Sequence, residues 1–517
     1  MTVMERSSGT LVRSEITDPP LYWRLSSSSR GADLSAVDVI TLFGRATPRL
    51  FSSLLQGVGT LPPGFRLAPT ADGVAPVRIW CAAVGPSWTD LRPQDAIEAV
   101  RSTLAGSVRR AIGNKRRVGV LLSGGFDSTL IAHLARSSCE VRCFVVDHTG
   151  RAGPKERIYA ELVCARYGLP LTVVAVGPDN LIRLLDRSVE HPTPLLLWAG
   201  ANQFALSEAA AAQGCELVIS GLGSDEVFVG FHKKGHAAWT FADRAEVEGA
   251  ERVWSRLLNE SRRAPTSLFY LGQCCPLNVS WLRRLFPGQA IDAALYDDLM
   301  PYYREAAARG DLATNAAILQ IEAELRSADL LVNEMTFASA LASLPVAYPF
   351  FAREVVQLAA QMPISWLYRR GDAPGLRLRP STKAIEKFVL RLAFQDDIPQ
   401  EVQVRPRMTF TVPFGHWKED PRLHSEIVDG TVNSSLWKVL GCRSEVVRTL
   451  LEAPAGSDPW ASPQRIWTLF SVARWWENGG PERLARATDA GAAAGHPPPS
   501  SPARAHKTED GGLPSTA

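Results

Sequence analysis

The segment Ser123-Gly124-Gly125-Phe126-Asp127-Ser128, here called the phosphate loop, brings two glycines, two hydroxyls and a carboxylate together between an apolar run and an amphipathic segment. Its glycines allow the backbone to approach phosphate oxygens, and the free N–H groups of a following helix favour an anion. The carboxylate of Asp127 would repel phosphates unless a divalent cation lay between them. The loop therefore predicts binding of phosphate groups together with Mg²⁺.

A glycine-rich turn that binds nothing is the alternative interpretation of the phosphate loop. The six residues occur together between a predicted strand and a predicted helix, which favours the ligand-binding interpretation. The Walker pattern Gly-x-x-x-x-Gly-Lys-Ser/Thr and the dinucleotide pattern Gly-x-Gly-x-x-Gly are both absent from this turn. The loop must therefore bind phosphate in a different way from those two classes.

Strand-like and helix-like segments alternate on both sides of the phosphate loop. Short, valine-rich runs predict buried parallel strands at 117–122, 141–147, 170–176 and 216–220. Amphipathic segments predict helices at 95–112, 128–136, 154–167 and 199–213. This alternation predicts a doubly wound α/β fold with a mainly parallel sheet, in which ligands bind at the carboxyl ends of the strands.

Composition divides the chain into three predicted parts. Residues 1–92 mix short apolar runs, at 39–43 and 77–84, with Pro and Gly, and predict a small β-leaning N-terminal domain. Residues 93–478 contain the α/β pattern followed by a large helical lobe. Residues 479–517 are rich in Ala, Gly, Pro, Ser and charged residues, a composition that predicts a disordered tail.

Charge and cysteine content exclude several classes of function. The chain of 517 residues has a formal net charge of only +3, so its composition does not favour binding to nucleic acid. The eight cysteines form no Cys-x-x-Cys pair, which favours core thiols in a reducing compartment. Apolar runs long enough to span a membrane are absent, and the first residues carry no signal-peptide pattern. We therefore expect a cytoplasmic protein with no membrane partner.

Motifs in a fixed order resemble one known family. Ser-Gly-Gly-x-Asp-Ser is the signature of ATP pyrophosphatases, and Ser220–Gly230 (SGLGSDEVFVG) resembles the second loop of asparagine synthetases and β-lactam synthetases. Further similarity lies in Asn333-Glu334-Met335, Tyr348-Pro349-Phe350, Lys387–Arg391, Ile398-Pro399 and Arg405-Pro406-Arg407. The resemblance covers about residues 93–476 and implies an ATP-pyrophosphatase-type synthetase domain, as in lasso-peptide macrolactam synthetases.

The resemblance assigns a nucleotide site residue by residue. It implies that ATP is bound by Leu122, Ser123, Gly124, Gly125, Asp127, Ser128, Val146, Ser220 and Gly221, and that Ser123, Gly125 and Ser128 hold the departing pyrophosphate. Asp127 and Asp225 look like paired Mg²⁺ ligands. Both are expected on strand-to-helix turns at the same sheet edge, where a cation can neutralise charge on the leaving group. The alternative for each aspartate is a helix-capping role.

Three further residues are assigned to catalysis by the resemblance. Lys387 and Arg407 match basic positions that face the phosphates and the acyl group, although β-lactam synthetases have a lysine at the position of Arg407, and arginine does not readily transfer a proton. Glu334 matches the glutamate that helps to deprotonate the attacking amine. The tyrosine that assists it in β-lactam synthetases is replaced here by Leu222, which cannot accept a proton. Solvated surface charge is the alternative for all three residues.

The source of the amine follows from the N-terminal region. Glutamine-dependent asparagine synthetases carry a catalytic cysteine directly after the initiator methionine, where this sequence has Thr2. We therefore expect a reduced N-terminal domain, either a degenerate glutaminase or a docking module. The resemblance implies an ATP- and Mg²⁺-dependent, AMP-forming amide or lactam synthetase that acts on a small-molecule or peptide substrate, with a precursor peptide or partner protein as a further option. Asparagine formation from ammonia and a catalytically inactive binding protein are the alternatives.

Overall fold

The computed structural model describes residues 12–18, 20–24, 33–70, 73–82, 92–148, 156–196, 199–230, 277, 279–299, 316, 319–320, 322–370, 372–377, 384–405, 408, 410, 412–413, 420–453 and 461–489. Its central element is a five-stranded parallel sheet. The strands are β6 (Arg117–Leu121), β7 (Glu140–His148), β8 (Leu171–Val176), β9 (Leu217–Ile219) and β10 (Val346–Ala347), in the order β10-β9-β6-β7-β8. The predicted α/β class and the four predicted strands are confirmed, and β10 is an additional edge strand.

Alternating side chains of the sheet enter two different apolar cores. On β7, Val141, Cys143 and Val145 face one core, whereas Phe144 and Val146 face the other. Strand side chains alternate because successive residues point to opposite faces of a sheet. The sheet is therefore covered on both sides, as the continuous apolar character of its strands predicts.

Helices follow the strands of this sheet and extend into a lobe. Those associated with the sheet are α2 (Pro93–Ile112), α3 (Phe126–Ala135), α4 (Glu156–Tyr167), α5 (Pro178–Ser188), α6 (Gly200–Ala212) and α7 (Ser224–Val227). Further helical segments are Val279–Leu285, Ile291–Tyr296, Glu322–Val332, Asn333–Leu341, Arg353–Ala360, Ile364–Leu367, Phe388–Phe394, Gln400–Val404, Pro421–His424, Ser425–Asp429, Gly430–Val432, Leu436–Val439, Ser444–Glu452, Ala461–Glu477 and Gly480–Asp489. Strands β11 (Tyr368–Arg370) and β12 (Ala384–Glu386) form a separate antiparallel pair. The predicted helical lobe is confirmed in the part of the chain that the structure describes.

The N-terminal region contains two small antiparallel sheets and a helix. The strands are β1 (Val12–Arg13), β2 (Leu21–Arg24), β3 (Val58–Leu61), β4 (Phe65–Thr70) and β5 (Gly73–Arg78), arranged as β1-β4-β5 and β2-β3. The apolar run at 39–43 lies in helix α1 (Ala36–Arg45), not in a strand. Its Phe43 ring lies 6.0 Å from Phe286 and 6.1 Å from Trp437, so α1 packs into the core of the helical lobe.

The first part of the segment predicted to be disordered, residues 479–517, is a helix in the structure. Gly480–Asp489 forms a helix whose Leu484 is fully buried, and this helix packs against β2. The prediction of disorder is therefore wrong for residues 480–489, because Leu484, with Ala485 and Ala487 beside it, packs this mostly polar helix against the apolar core. The rest of the predicted tail lies outside the described residues. Within the described ranges, none of the helices is both long enough and apolar enough to cross a membrane.

Candidate active site

The phosphate loop connects β6 to α3 at the carboxyl edge of the parallel sheet. Leu122 continues the strand by donating its N–H to the Phe144 carbonyl at 2.8 Å, and α3 begins four residues later at Phe126. The hydroxyls of Ser123 and Ser128 lie 3.1 Å apart, and the Gly125 N–H donates to Ser123 Oγ at 3.2 Å. The loop therefore gathers two hydroxyls at the N-terminus of α3, where an anion is favoured.

The two glycines of the loop have different surroundings. Gly124 has a φ of 65°, and a Cβ on it would lie 2.6 Å from the backbone nitrogen of Ala160 on α4. Among the described residues, a Cβ on Gly125 would meet Ser123 Oγ at 3.1 Å and Arg405 Nη2 at 4.0 Å. Packing against α4 thus explains the glycine at 124, and its phosphate-binding role stays a prediction. Gly125 borders a space lined by donors.

The two aspartates assigned to Mg²⁺ converge on one lysine. Nζ of Lys387 lies 2.6 Å from Oδ2 of Asp127 and 2.8 Å from Oδ1 of Asp225. The lysine side chain is 6% exposed, whereas the carboxylates are 23% and 28% exposed. The other carboxylate oxygen of Asp127 accepts a hydrogen bond from Ser224 Oγ at 2.7 Å. The family resemblance implies that Lys387 faces the phosphates, and the structure places its Nζ between the two carboxylates.

Local backbone geometry fixes the position of Lys387. Residue 387 lies between β12 and the helix Phe388–Phe394 with a φ of 54°, a left-handed conformation that is uncommon for residues other than glycine. A Cβ on Gly230 would collide with Asp225 Oδ1 and Lys387 Cε. Only a glycine at 230 therefore leaves room for this ion pair.

The loop after β9 packs directly against the phosphate loop. The Ser220 N–H donates to the Ala347 carbonyl of β10 at 3.0 Å, and a Cβ on Gly221 would lie 2.9 Å from the Ser128 nitrogen. Gly221 thus allows the two loops to touch. Leu222 donates its N–H to Ser220 Oγ at 3.2 Å. The two strand ends therefore present Asp127 and Asp225 from adjacent turns, which confirms the convergence expected of parallel strands.

The donor set of this pair fits Mg²⁺. Mg²⁺ is commonly held by one or two carboxylates together with substrate phosphates and water. Asp127 and Asp225 each supply a carboxylate, a hard oxygen ligand, and one oxygen of each lies within 2.8 Å of the same cationic nitrogen, Lys387 Nζ. Among the described residues, no group of three or more His, Cys, Asp or Glu side chains could hold a metal ion. A metal held by this pair would take its further ligands from nucleotide phosphates and water, as is usual for Mg²⁺.

Glu334 is buried, and its carboxylate accepts hydrogen bonds from backbone N–H groups. Its Oε1 accepts hydrogen bonds from the N–H groups of Ala199 at 3.2 Å and Gly200 at 2.9 Å, at the start of α6. A carboxylate at a helix N-terminus is favoured by the helix dipole. The surface-charge alternative is therefore wrong for Glu334. Its role as a base for the amine stays a prediction.

The remaining assigned residues fall into two groups. Leu122 and Val146 are buried beside the loop, on opposite faces of the sheet. Arg407 lies outside the described residues, so its assigned role stays a prediction.

Sequence reasoning did not assign a role to Arg405. Its Nη1 donates to the Ser123 carbonyl at 2.9 Å. The only sequence signal for it was its place in Arg-Pro-Arg, and a contact across 282 positions is invisible to local patterns.

Most of the chain is similar to proteins of one family. The family model described as asparagine synthase matches residues 99–477. A Mycobacterium tuberculosis protein that carries the provisional name asparagine synthetase (glutamine-hydrolysing) is 28% identical over 450 residues, which are 82% of this chain and 64% of that protein. The glutamine-hydrolysing asparagine synthetase 1 of Bacillus subtilis is 22% identical, over 73% of this chain and 59% of its own length. The chain thus spans less than two thirds of the length of these relatives.

A solved structure shows only local likeness. The NH₃-dependent NAD synthetase of Campylobacter jejuni is 22% identical, covers 27% of this chain and 61% of its own, and has a TM-score of 0.19. The fold of this chain is defined by its own strand order, β10-β9-β6-β7-β8. The asparagine synthase match, in contrast, includes the parallel sheet, both loops and Lys387. The resemblance found in the sequence is confirmed, and the chain belongs to the asparagine synthase family.

Proposed function

We propose that the chain is an ATP-dependent, AMP-forming amide or lactam synthetase. In this reaction a substrate carboxylate oxygen attacks the α-phosphorus of ATP, and pyrophosphate leaves. An amine then attacks the acyl carbon, AMP leaves, and the amine gives up a proton. The observation that carries the proposal is the convergence of Asp127 and Asp225 beside the phosphate loop, in a chain of this family.

Each group in the site supports one part of this chemistry. Ser123, Gly125 and Ser128 are proposed to hold the departing pyrophosphate through hydroxyl and N–H donors, and the short distance between the two hydroxyls supports this role. Asp127 and Asp225 would hold Mg²⁺, which would offset the charge on the phosphates when bound. Glu334 is proposed to accept the proton of the amine. Holding both reacting groups in one site would supply much of the rate.

A specialised peptide or metabolite is the proposed substrate class. The basis is Leu222, which replaces both the tyrosine of β-lactam synthetases and the glutamate of asparagine synthetases. The names of the relatives favour a second candidate, asparagine formation. Addition of free ammonia separates the two, because only the second reaction would use it as the amine.

Exchange of labelled pyrophosphate into ATP, measured with a panel of candidate carboxylates, tests adenylation. We expect Asp127→Asn to lower the exchange rate by at least about a hundredfold, because a metal ligand is lost while size is kept. Asp95→Asn, an exposed aspartate on α2, is the matched control. Wild-type exchange in Asp127→Asn would mean that the metal assignment is wrong. Failure of the wild-type chain to bind or turn over ATP would favour an inactive binding protein.

A further inference from the structure

Arg405 reaches the phosphate loop from the end of the short helix Gln400–Val404. Its Nη1 donates to the Ser123 carbonyl at 2.9 Å, and its guanidinium carbon lies 4.8 Å from the centre of the Tyr159 ring. The ring supports one face of the guanidinium while the carbonyl fixes one of its nitrogens. The side chain is therefore held at the loop by two contacts that define its orientation.

The second terminal nitrogen of Arg405 faces the space in front of Gly125. A Cβ built on Gly125 would point into this space, where it would lie 3.1 Å from Ser123 Oγ and 4.0 Å from Arg405 Nη2. Ser128 Oγ lies 3.1 Å from Ser123 Oγ. A ligand oxygen in this space would meet two hydroxyls and a guanidinium, a set of donors that suits a phosphate group.

The charge of Arg405 is partly removed from water. Burial lowers its pKa, and the nearby Glu156, Tyr159 and Asp127 oppose that shift. An arginine remains protonated in proteins even when its pKa falls. A charge with little water around it interacts more strongly with a neighbouring anion than a solvated one does. The guanidinium is therefore suited to an ionic ligand at the loop.

We propose that Arg405 binds the departing pyrophosphate, with Nη1 anchored on the Ser123 carbonyl and Nη2 directed at the ligand. This inference rests on the proposed function, since it names a donor for the group that ATP releases. The planar fork of arginine permits both contacts at once, whereas a lysine has a single nitrogen for both. The alternative is that Arg405 only braces the loop through Ser123.

Equilibrium binding by titration calorimetry on the full chain separates these two roles. The probes are inorganic pyrophosphate with Mg²⁺, and AMP, which lacks the pyrophosphate. We expect Arg405→Met to weaken pyrophosphate binding by at least about tenfold, as for loss of a hydrogen bond from a charged group, and to leave AMP binding within about twofold. Arg405→Lys should lose less of the affinity for pyrophosphate than Arg405→Met, because lysine keeps the positive charge. Thermal melting of each variant reports whether the fold is intact, and Arg405→Lys decides the test if Arg405→Met does not fold.

Arg136→Met is the matched control for loss of a stacked arginine. Arg136 lies 4.4 Å over the Tyr167 ring, at the opposite end of α4 from Tyr159, and within the described part of the chain no hydrogen bond or ion pair joins it to the phosphate loop. We expect its variant to bind both probes like the wild type. Unchanged pyrophosphate affinity in the Arg405 variants, or equal weakening of pyrophosphate and AMP, would overturn the inference and leave the proposed function standing. Failure of the wild-type chain to bind ATP, AMP or pyrophosphate would overturn both.

Discussion

The ammonium nitrogen of Lys387 lies 2.6 Å from Oδ2 of Asp127, so a buried lysine occupies the space between the two carboxylates assigned to Mg²⁺. In this arrangement the positive charge of the lysine offsets the negative charge of the two adjacent carboxylates. If Mg²⁺ binds here as proposed, it would bring a second positive charge to the same two carboxylates. Lys387 therefore links the stability of the free protein to the chemistry of the site.

Replacement of Lys387 should destabilise the protein in the absence of metal. We expect Lys387→Met to lower the free energy of unfolding by about 2–3 kcal/mol, slightly below the cost of breaking a fully buried ion pair, because the carboxylates are partly exposed. Mg²⁺ with ATP should then stabilise the variant more than the wild type, since it replaces the missing cation. Urea unfolding with and without Mg²⁺ and ATP measures both effects. Lys438→Met, an exposed lysine, is the control, and an unchanged stability of Lys387→Met would contradict the ion pair.

Two glycines should respond in opposite directions to alanine. Gly230→Ala would force a methyl group against Asp225 and Lys387, and its Cβ would lie 2.7 Å from the Asp225 Cα. We expect a loss of about 1–3 kcal/mol in unfolding free energy and weaker ATP binding, as for overpacking. Gly430→Ala should be neutral or stabilise by up to about 1 kcal/mol, because position 430 is helical and open. Urea unfolding measures the stability of both variants. An equal change in unfolding free energy for Gly230→Ala and Gly430→Ala would contradict the crowding at Gly230.

Substitutions at Glu334 should separate its capping contact from its proposed chemistry. Glu334→Gln keeps an oxygen that can accept from Ala199 and Gly200, so we expect near wild-type stability and near wild-type exchange of pyrophosphate into ATP. Amide formation should fall by at least about a hundredfold if the carboxylate is the base. Glu334→Ala should also lose about 1–3 kcal/mol of stability, because buried N–H groups lose their acceptor. Equal loss of exchange and amide formation in Glu334→Gln would argue against the base, and the exposed Glu452→Gln is the control.

The imidazole of His191 should make stability depend on pH. Burial lowers the pKa of His191 to about 4, against 6.5 for an exposed histidine. Above pH 6.5 the ring is neutral in both the folded and the unfolded chain, so its titration does not change the free energy of unfolding. As the pH falls from 6.5 towards 4, the unfolded chain takes up a proton that the folded chain does not. We therefore expect a loss of up to about 3 kcal/mol in this range.

Urea unfolding at pH 7.5 and pH 4.5 checks the contribution of His191. His191→Gln should remove part of the decrease at low pH, since glutamine does not titrate. His424→Gln, at an exposed position, should leave the decrease unchanged. An identical pH dependence for wild type and His191→Gln would contradict the assignment of the shift to this ring.

The sequence by itself predicted the α/β class, four strands of the parallel sheet and the phosphate loop. These features depend on residues close together in the chain, such as valine-rich runs and the turn at Gly124 and Gly125, so local patterns are sufficient to identify them. The position of Asp127 and Asp225 at one sheet edge also followed, because parallel strands end on the same side. The membership of the asparagine synthase family rests on the same ordered motifs.

Only the tertiary structure decided how distant residues meet at this site. Lys387 and Asp127 are 260 positions apart, and the sequence could not show that the lysine lies between the two carboxylates. The same holds for Arg405 at the Ser123 carbonyl and for Glu334 at the start of α6. Composition also predicted disorder where Leu484 docks a polar helix. In each case the contact depends on packing between segments that are far apart in the chain. Such packing is determined by the whole fold, so no local periodicity in the sequence indicates it.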